Sequence, residues 1–214
     1  MLDWFPSAPV LATYTLAVVA LTITPGPDMT LFLSQTVSRS RAAGFAAFGG
    51  AATGLLVHTS FVALGLSALL IASATAFTIL KIVGALYLLW LAFDALRSGS
   101  AFNLSQDGRA KGGLGAVFLK GLLINLLNPK IVVFFLTFLP QFVSPGDPAA
   151  VQKLFVLGVL FVLIATPFVI AMILSAGALA ALLTRSRLAM RAVNILFATV
   201  LGGFAIKLLA ARAG

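Results

Sequence analysis

The sequence predicts an all-α integral membrane protein of six transmembrane helices, arranged as two inverted three-helix repeats with spans one and four broken at proline. Three observations lead there. Of 214 residues, 61% are hydrophobic and 9% charged, whereas ordinary soluble domains carry about 25% charged residues. Uncharged runs at 4–27, 42–80 (where only His58 titrates) and 154–184 reach the roughly 20 apolar residues that a helix needs to cross hydrocarbon. Proline-centred interruptions recur in the first and fourth spans, at "TPGPD" (24–28) and "NPK" (128–130).

Taken in order, the spans are predicted at 8–38, 43–71, 76–97, 114–143, 151–183 and 189–211, and the connections justify the divisions. Residues 39–41 (Arg-Ser-Arg), 98–113 ("SGSAFNLSQDGRAKGG") and 184–191 ("TRSRLAMR") are polar or basic, while 72–75 ("ASAT") and 144–150 ("SPGDPAA") carry no basic residue. "MLDWFPSAPV" has only Asp3 before the first apolar run, so the sequence predicts that no signal is cleaved and the first helix is kept.

Basic residues orient the chain. Arg39, Arg41, Arg97, Arg109, Lys111, Arg185, Arg187 and Arg191 fall in the first, third and fifth connections with Lys120 nearby, against Lys81, Lys153, Lys207 and Arg212 near span ends on the other face. The positive-inside rule then predicts a multi-pass protein of the bacterial cytoplasmic membrane with both termini in the periplasm. The net charge of +9 suits anionic lipid headgroups rather than nucleic acid. Cys is absent and His58 is the single histidine, which excludes thiol redox chemistry and leaves few ligands of the kind transition metals prefer. No metal site, no cofactor and no enzymatic constellation is predicted.

An internal repeat relates 8–97 to 114–211 across a cytoplasmic linker at 98–113, within a single transporter domain. "PDMTLFL" (27–33) aligns with "PKIVVFF" (129–135), so that Asp28 falls on Lys130; "HTSFV" (58–62) resembles "ATPFV" (165–169). Lys81 to Asp94 and Asn194 to Lys207 are each 13 residues apart. Three helices per copy force opposite orientations, the plan of many secondary transporters.

Pro25 and Pro27 each lack an N–H and Gly26 between them turns cheaply, so the first span breaks and a second helix opens with Asp28 at a cap position. In span four, Asn125 and Asn128 precede Pro129 and Lys130, repeating the device. Irregular backbone survives in a membrane only where it faces protein or a water-filled path. A carboxylate at that depth costs about 2.5 to 3.5 kcal/mol and marks function by default. The candidate substrate and translocation residues are therefore Pro25, Gly26, Pro27, Asp28, Asn125, Asn128, Pro129 and Lys130. An acid facing an α-ammonium, and a base with helix N-termini facing an α-carboxylate, suit a small zwitterion.

The bland readings are that Asp28 is an N-cap near the interface and that Lys130 neutralises it. Asp28 and His58 are the candidate proton relay, since an unperturbed imidazole titrates near pH 6.5, although a hydrogen-bonded packing histidine is the preferred reading of His58. Asp94 lies three residues before Arg97 and reads as a local helical pair. The small-residue run "GFAAFGGAATG" (44–54) predicts close helix packing, with a homodimer contact as the alternative.

"TPGPD", "GALYLLWLAFDALRSG" (84–99) and "NPKIVVFFLTFLPQF" (128–142) together resemble the lysine exporter (LysE/RhtB) family of bacterial amino-acid translocators, over nearly the whole chain. The resemblance implies an inner-membrane efflux protein for amino acids or their derivatives, driven by proton influx. It places the first-span motif on Pro25, Gly26, Pro27 and Asp28, and the fourth-span motif on Asn128, Pro129 and Lys130, followed by Pro140 and Gln141. Asp94 departs from the basic or neutral residue expected there. The partners expected are a zwitterionic amino acid, protons and membrane lipids; the rival reading is a metal-cation exporter of related fold.

Overall fold

The computed structural model describes residues 5–66, 74–97, 112–143 and 147–210. The linker predicted at 98–113 lies outside these apart from Gly112 and Gly113. Among the described residues the chain forms helices and no strands. The helices are α1 (Ala8–Ile23), α2 (Pro27–Ser38), α3 (Arg41–Phe61), α4 (Ala74–Arg97), α5 (Leu114–Leu126), α6 (Pro129–Val133), α7 (Ala150–Leu174), α8 (Ala176–Arg185) and α9 (Arg187–Ala210).

The segments predicted as spans one and four break at their prolines. The α1 helix ends at Ile23 because Thr24 turns extended, two prolines follow, and α2 restarts at Pro27 with a bend of 53°. The fourth span bends by 51° between α5 and the segment beginning at Pro129. Each bent pair is long and apolar enough to cross a membrane as one span, as are α3 with its continuation (Arg41–Gly65) and α7. Shorter apolar stretches, Ile82–Asp94 and Asn194–Gly203, lie within α4 and α9.

Three features depart from the sequence-based expectation. Beyond Pro129, α6 widens into a π-helix at Phe134–Phe138 and then tightens into a 3-10 turn at Leu139–Phe142. The end of α3 likewise widens into a π-helix at Val62–Leu66. The span predicted at 151–183 breaks at Ser175, where the side chain turns back to bond the Ala171 carbonyl, a local bond that competes with helix continuation. The exposed Arg41 donates to the Leu174 carbonyl and so caps the end of α7.

Close packing uses the small-residue run inside the chain. Ala43, Gly44, Ala47, Gly50, Ala51 and Gly54 are all buried on one face of α3. At Gly50 a methyl group would overlap the Phe118 carbonyl, and at Gly121 one would overlap the Ala47 carbonyl, so α3 and α5 meet backbone to backbone. The α7 helix packs on both α1 and α3, and α4 packs on α9. Before α7, outside the apolar stretch, Asp147 accepts from the Ala149 N–H and the Lys153 ammonium, which holds its carboxyl below the ordinary carboxylate range.

Two apolar clusters result. One gathers Tyr14, Phe134, Phe135, Phe138 and Phe161, with the Tyr14 hydroxyl donating to the Leu157 carbonyl at 2.7 Å. The other holds Met29, Phe32, Leu33, Ala47, Ala51 and Met172. The candidate site lies where they meet.

Candidate functional site

The two breaks meet face to face. Gly26 is the N-cap of α2 and Asp28 sits inside the first turn, one position beyond Pro27. Asp28 therefore does not cap its own helix as the sequence predicts, because Pro27 suits the first helical position and sets the start there. Its carboxylate reaches the other break instead. Oδ2 accepts from Asn128 Nδ2 at 2.7 Å and from Asn125 Nδ2 at 3.3 Å.

Asn128 serves both sides, since its Oδ1 accepts the Lys130 backbone N–H at 3.1 Å and so caps α6. Both asparagines are buried, at 1% and 2% exposure, where an amide requires such partners. Asp28 Oδ1 and Asn125 Oδ1 are buried acceptors without a hydrogen-bond partner.

Lys130 crosses in the reverse direction. Its ammonium donates to the Leu21 and Thr24 carbonyls, both at 3.2 Å. Leu21 stands four residues before Pro25, so its carbonyl is one that the missing proline N–H leaves open. Lysine from the second break thus replaces a helix donor that the first break lacks.

Gly26 has φ of −175°, an extended conformation that any residue adopts, so turning is not what it supplies. A Cβ there would stand 3.0 Å from Lys130 Nζ. Glycine leaves space for the ammonium.

The second break has its own cap. The Asn125 carbonyl, four residues before Pro129, receives the Asn128 N–H at 3.1 Å, and His58 Nε2 lies 3.3 Å from it. A carbonyl only accepts, so Nε2 carries the proton. His58 is half-buried in α3 and tilted against Phe135 at 5.7 Å, a placement that suits the packing role. Asp94 is exposed on α4 and does not line this region.

Asp28 and Lys130 share a cavity of about 50 Å³, to which α1, α2, α3, α5, α6 and α7 all contribute. That volume holds a few waters at most, against about 300 to 1,000 Å³ for typical ligand pockets. Its wall includes Phe32, Phe48, Ala51, Phe161, Ala165 and Met172. These apolar residues were not among the sequence candidates because they carry no chemical mark; Phe48 and Ala51 stand in the run 44–54 that the sequence marked for packing, and Phe32 and Ala165 in segments it marked for the internal repeat. The Leu21 carbonyl was findable by counting four residues back from Pro25.

Comparison with known proteins follows the same lines. Residues 19–212 match the model of the LysE type translocator family. The homoserine/homoserine lactone efflux protein of Salmonella typhi is 33% identical over 164 residues, 77% of this chain and 76% of that one. The threonine efflux protein of the same organism is 36% identical over 146 residues, covering 63% and 66%. An uncharacterized membrane protein of Pseudomonas aeruginosa is 33% identical over 201 residues, covering 92% and 93%. No solved structure matches.

Proposed function

The chain belongs to the LysE type translocator family, and from that premise we propose that it exports an amino acid or amino-acid derivative from the bacterial cytoplasm in exchange for protons. A translocator family is not an enzyme class. The relatives' names, homoserine/homoserine lactone efflux and threonine efflux, support the cargo class.

One observation carries the site assignment: Asp28, whose buried Oδ1 has no hydrogen-bond partner, lines the same cavity as Lys130. In this reading Asp28 binds the cargo's ammonium, assisted by Asn125 Oδ1. Lys130 leaves the Leu21 and Thr24 carbonyls for the cargo's carboxylate, while Asn128 keeps Asp28 aimed. The arrival of a zwitterion exchanges internal caps for cargo contacts, and departure restores them.

The architecture proposed is six spans in two inverted halves, 8–97 and 114–211, with periplasmic termini and a cytoplasmic linker. Supporting it are the near-equal bends of 53° and 51° at corresponding positions and the matched packing of α3 on α5 and α7 on α1. A cavity of about 50 Å³ is contracted for a cargo, so entry requires the halves to part. They rock about the site, and protonation of Asp28 from outside discharges the cargo. His58 is left as a helix cap.

Loading cells with dipeptides and following amino-acid release tests the reading. Faster release of an amino acid upon expression is expected; unchanged release of every one tested would contradict it. In proteoliposomes, efflux that ignores an imposed pH difference would remove the proton step alone.

A further inference from the structure

Resting on the export reading above, we infer that Gln35 is a further cargo contact, an acceptor that meets the ammonium of an amino acid on the cytoplasmic approach to Asp28. Three buried side-chain acceptors lack a hydrogen-bond partner among the described residues: Asp28 Oδ1, Asn125 Oδ1 and Gln35 Oε1. The first two belong to the breaks. Gln35 does not line their cavity, and a buried acceptor left open costs stability that an apolar residue of the same shape would not.

Helix geometry says where it stands. Gln35 follows Asp28 by seven residues in α2, within about 20° of two full turns and about 10 Å further along the axis. The two positions therefore share one face. Phe32, between them, is about 40° round from Asp28; it lines the cavity and meets Phe48 edge to face at 5.9 Å. Beyond Gln35, α2 ends at Ser38 and the exposed Arg39 follows, on the cytoplasmic side in the proposed orientation.

The order inward is thus a cation at the mouth, a neutral acceptor, an aromatic pair and the carboxylate. An amide oxygen accepts from an ammonium more weakly than a carboxylate does, because only one partner is charged. Cargo therefore moves on to Asp28. Gln35 is 1% exposed, so the approach is shut in this arrangement, with the Phe32–Phe48 contact as the barrier before the cavity.

The chain has no Cys, so a single introduced thiol reports its own accessibility. Gln35→Cys in the full chain would be reacted with a cationic, membrane-impermeant methanethiosulfonate in inside-out and right-side-out membrane vesicles. Leu33→Cys is the control, since Leu33 is fully buried and stands about 140° round the helix from Asp28. Gln35→Cys should label from the cytoplasmic face at least about tenfold faster than Leu33→Cys, because an open state is visited. Equal rates, or faster labelling of Gln35→Cys from the periplasmic face, would overturn the inference.

Gln35→Met keeps the length and removes the acceptor. It should melt no lower than wild type while efflux falls about tenfold. Unchanged efflux, or a lower melting temperature, would overturn the inference by making the amide dispensable or structural. A wild type that releases no amino acid, with Gln35→Cys still labelled from the cytoplasmic face, would overturn export and leave the wet approach standing.

Discussion

At the first break, the carbonyl freed by Pro25 is met by an ammonium from the other half of the chain; at the second, the carbonyl freed by Pro129 is met by the neighbouring backbone and by His58. The charged groups are exchanged between halves, with Asp28 held by Asn125 and Asn128 and Lys130 held by Leu21 and Thr24. The difference teaches that proline creates the need in both places while the means of satisfying it differ, and on the proposed mechanism that difference selects the break that opens. Backbone and imidazole caps at the second break are fixed in place. The ammonium at the first sits on a long side chain, the group that the proposed mechanism has a cargo carboxylate draw away.

The largest effect expected is on function alone. Asp28→Asn retains an acceptor for Asn128, so the protein should insert and melt as before, while efflux falls on the order of a hundredfold as a charge partner is lost. Quantified efflux beside a thermal melt separates the two; full efflux in the folded variant would break the comparison.

Lys130→Met should disturb both. The Leu21 and Thr24 carbonyls lose their donor at a cost of about 1 to 3 kcal/mol in stability, and efflux falls with it. Stability at the wild-type level would mean that the ammonium does not serve as the missing helix donor.

Gly50→Val moves away from the breaks to the α3–α5 seam, where overpacking costs about 1 to 3 kcal/mol. The melting temperature should drop while the preference among cargoes stays constant. A changed preference would show that the seam shapes the site.

The smallest effect distinguishes cap from relay at the second break. His58→Gln keeps a donor for the Asn125 carbonyl, whereas His58→Leu removes one hydrogen bond worth about 1 kcal/mol. Glutamine should retain efflux and its response to a pH difference. Loss of that response would restore His58 to the proton path.

Much of this was legible in the sequence, for local reasons. Proline lacks an N–H wherever it stands, so Pro25, Pro27 and Pro129 announced both breaks, and the run at 44–54 announced a backbone-to-backbone contact. The partners were not legible, because they depend on tertiary approach. Nothing in "PDM" says that Asp28 passes over its own helix end to reach Asn128, and nothing near Gly26 says that the glycine makes room for a lysine 104 residues onward in the chain. The π-helix at Phe134–Phe138 carries no proline or glycine, and the end of α7 at Ser175 falls in an uncharged run that composition reads as continuous helix.

The pairing of Asp28 with a cargo ammonium is the central claim, and a cycle between residue and ligand tests it most directly. Binding of threonine and of its analogue with hydroxyl in place of the amino group would be measured on purified wild type and Asp28→Asn. Removing the amino group should weaken binding to wild type at least about tenfold and cost the variant little more, because the contact is already gone. Equal losses in both proteins would contradict the account, since the ammonium would then be recognised somewhere other than Asp28.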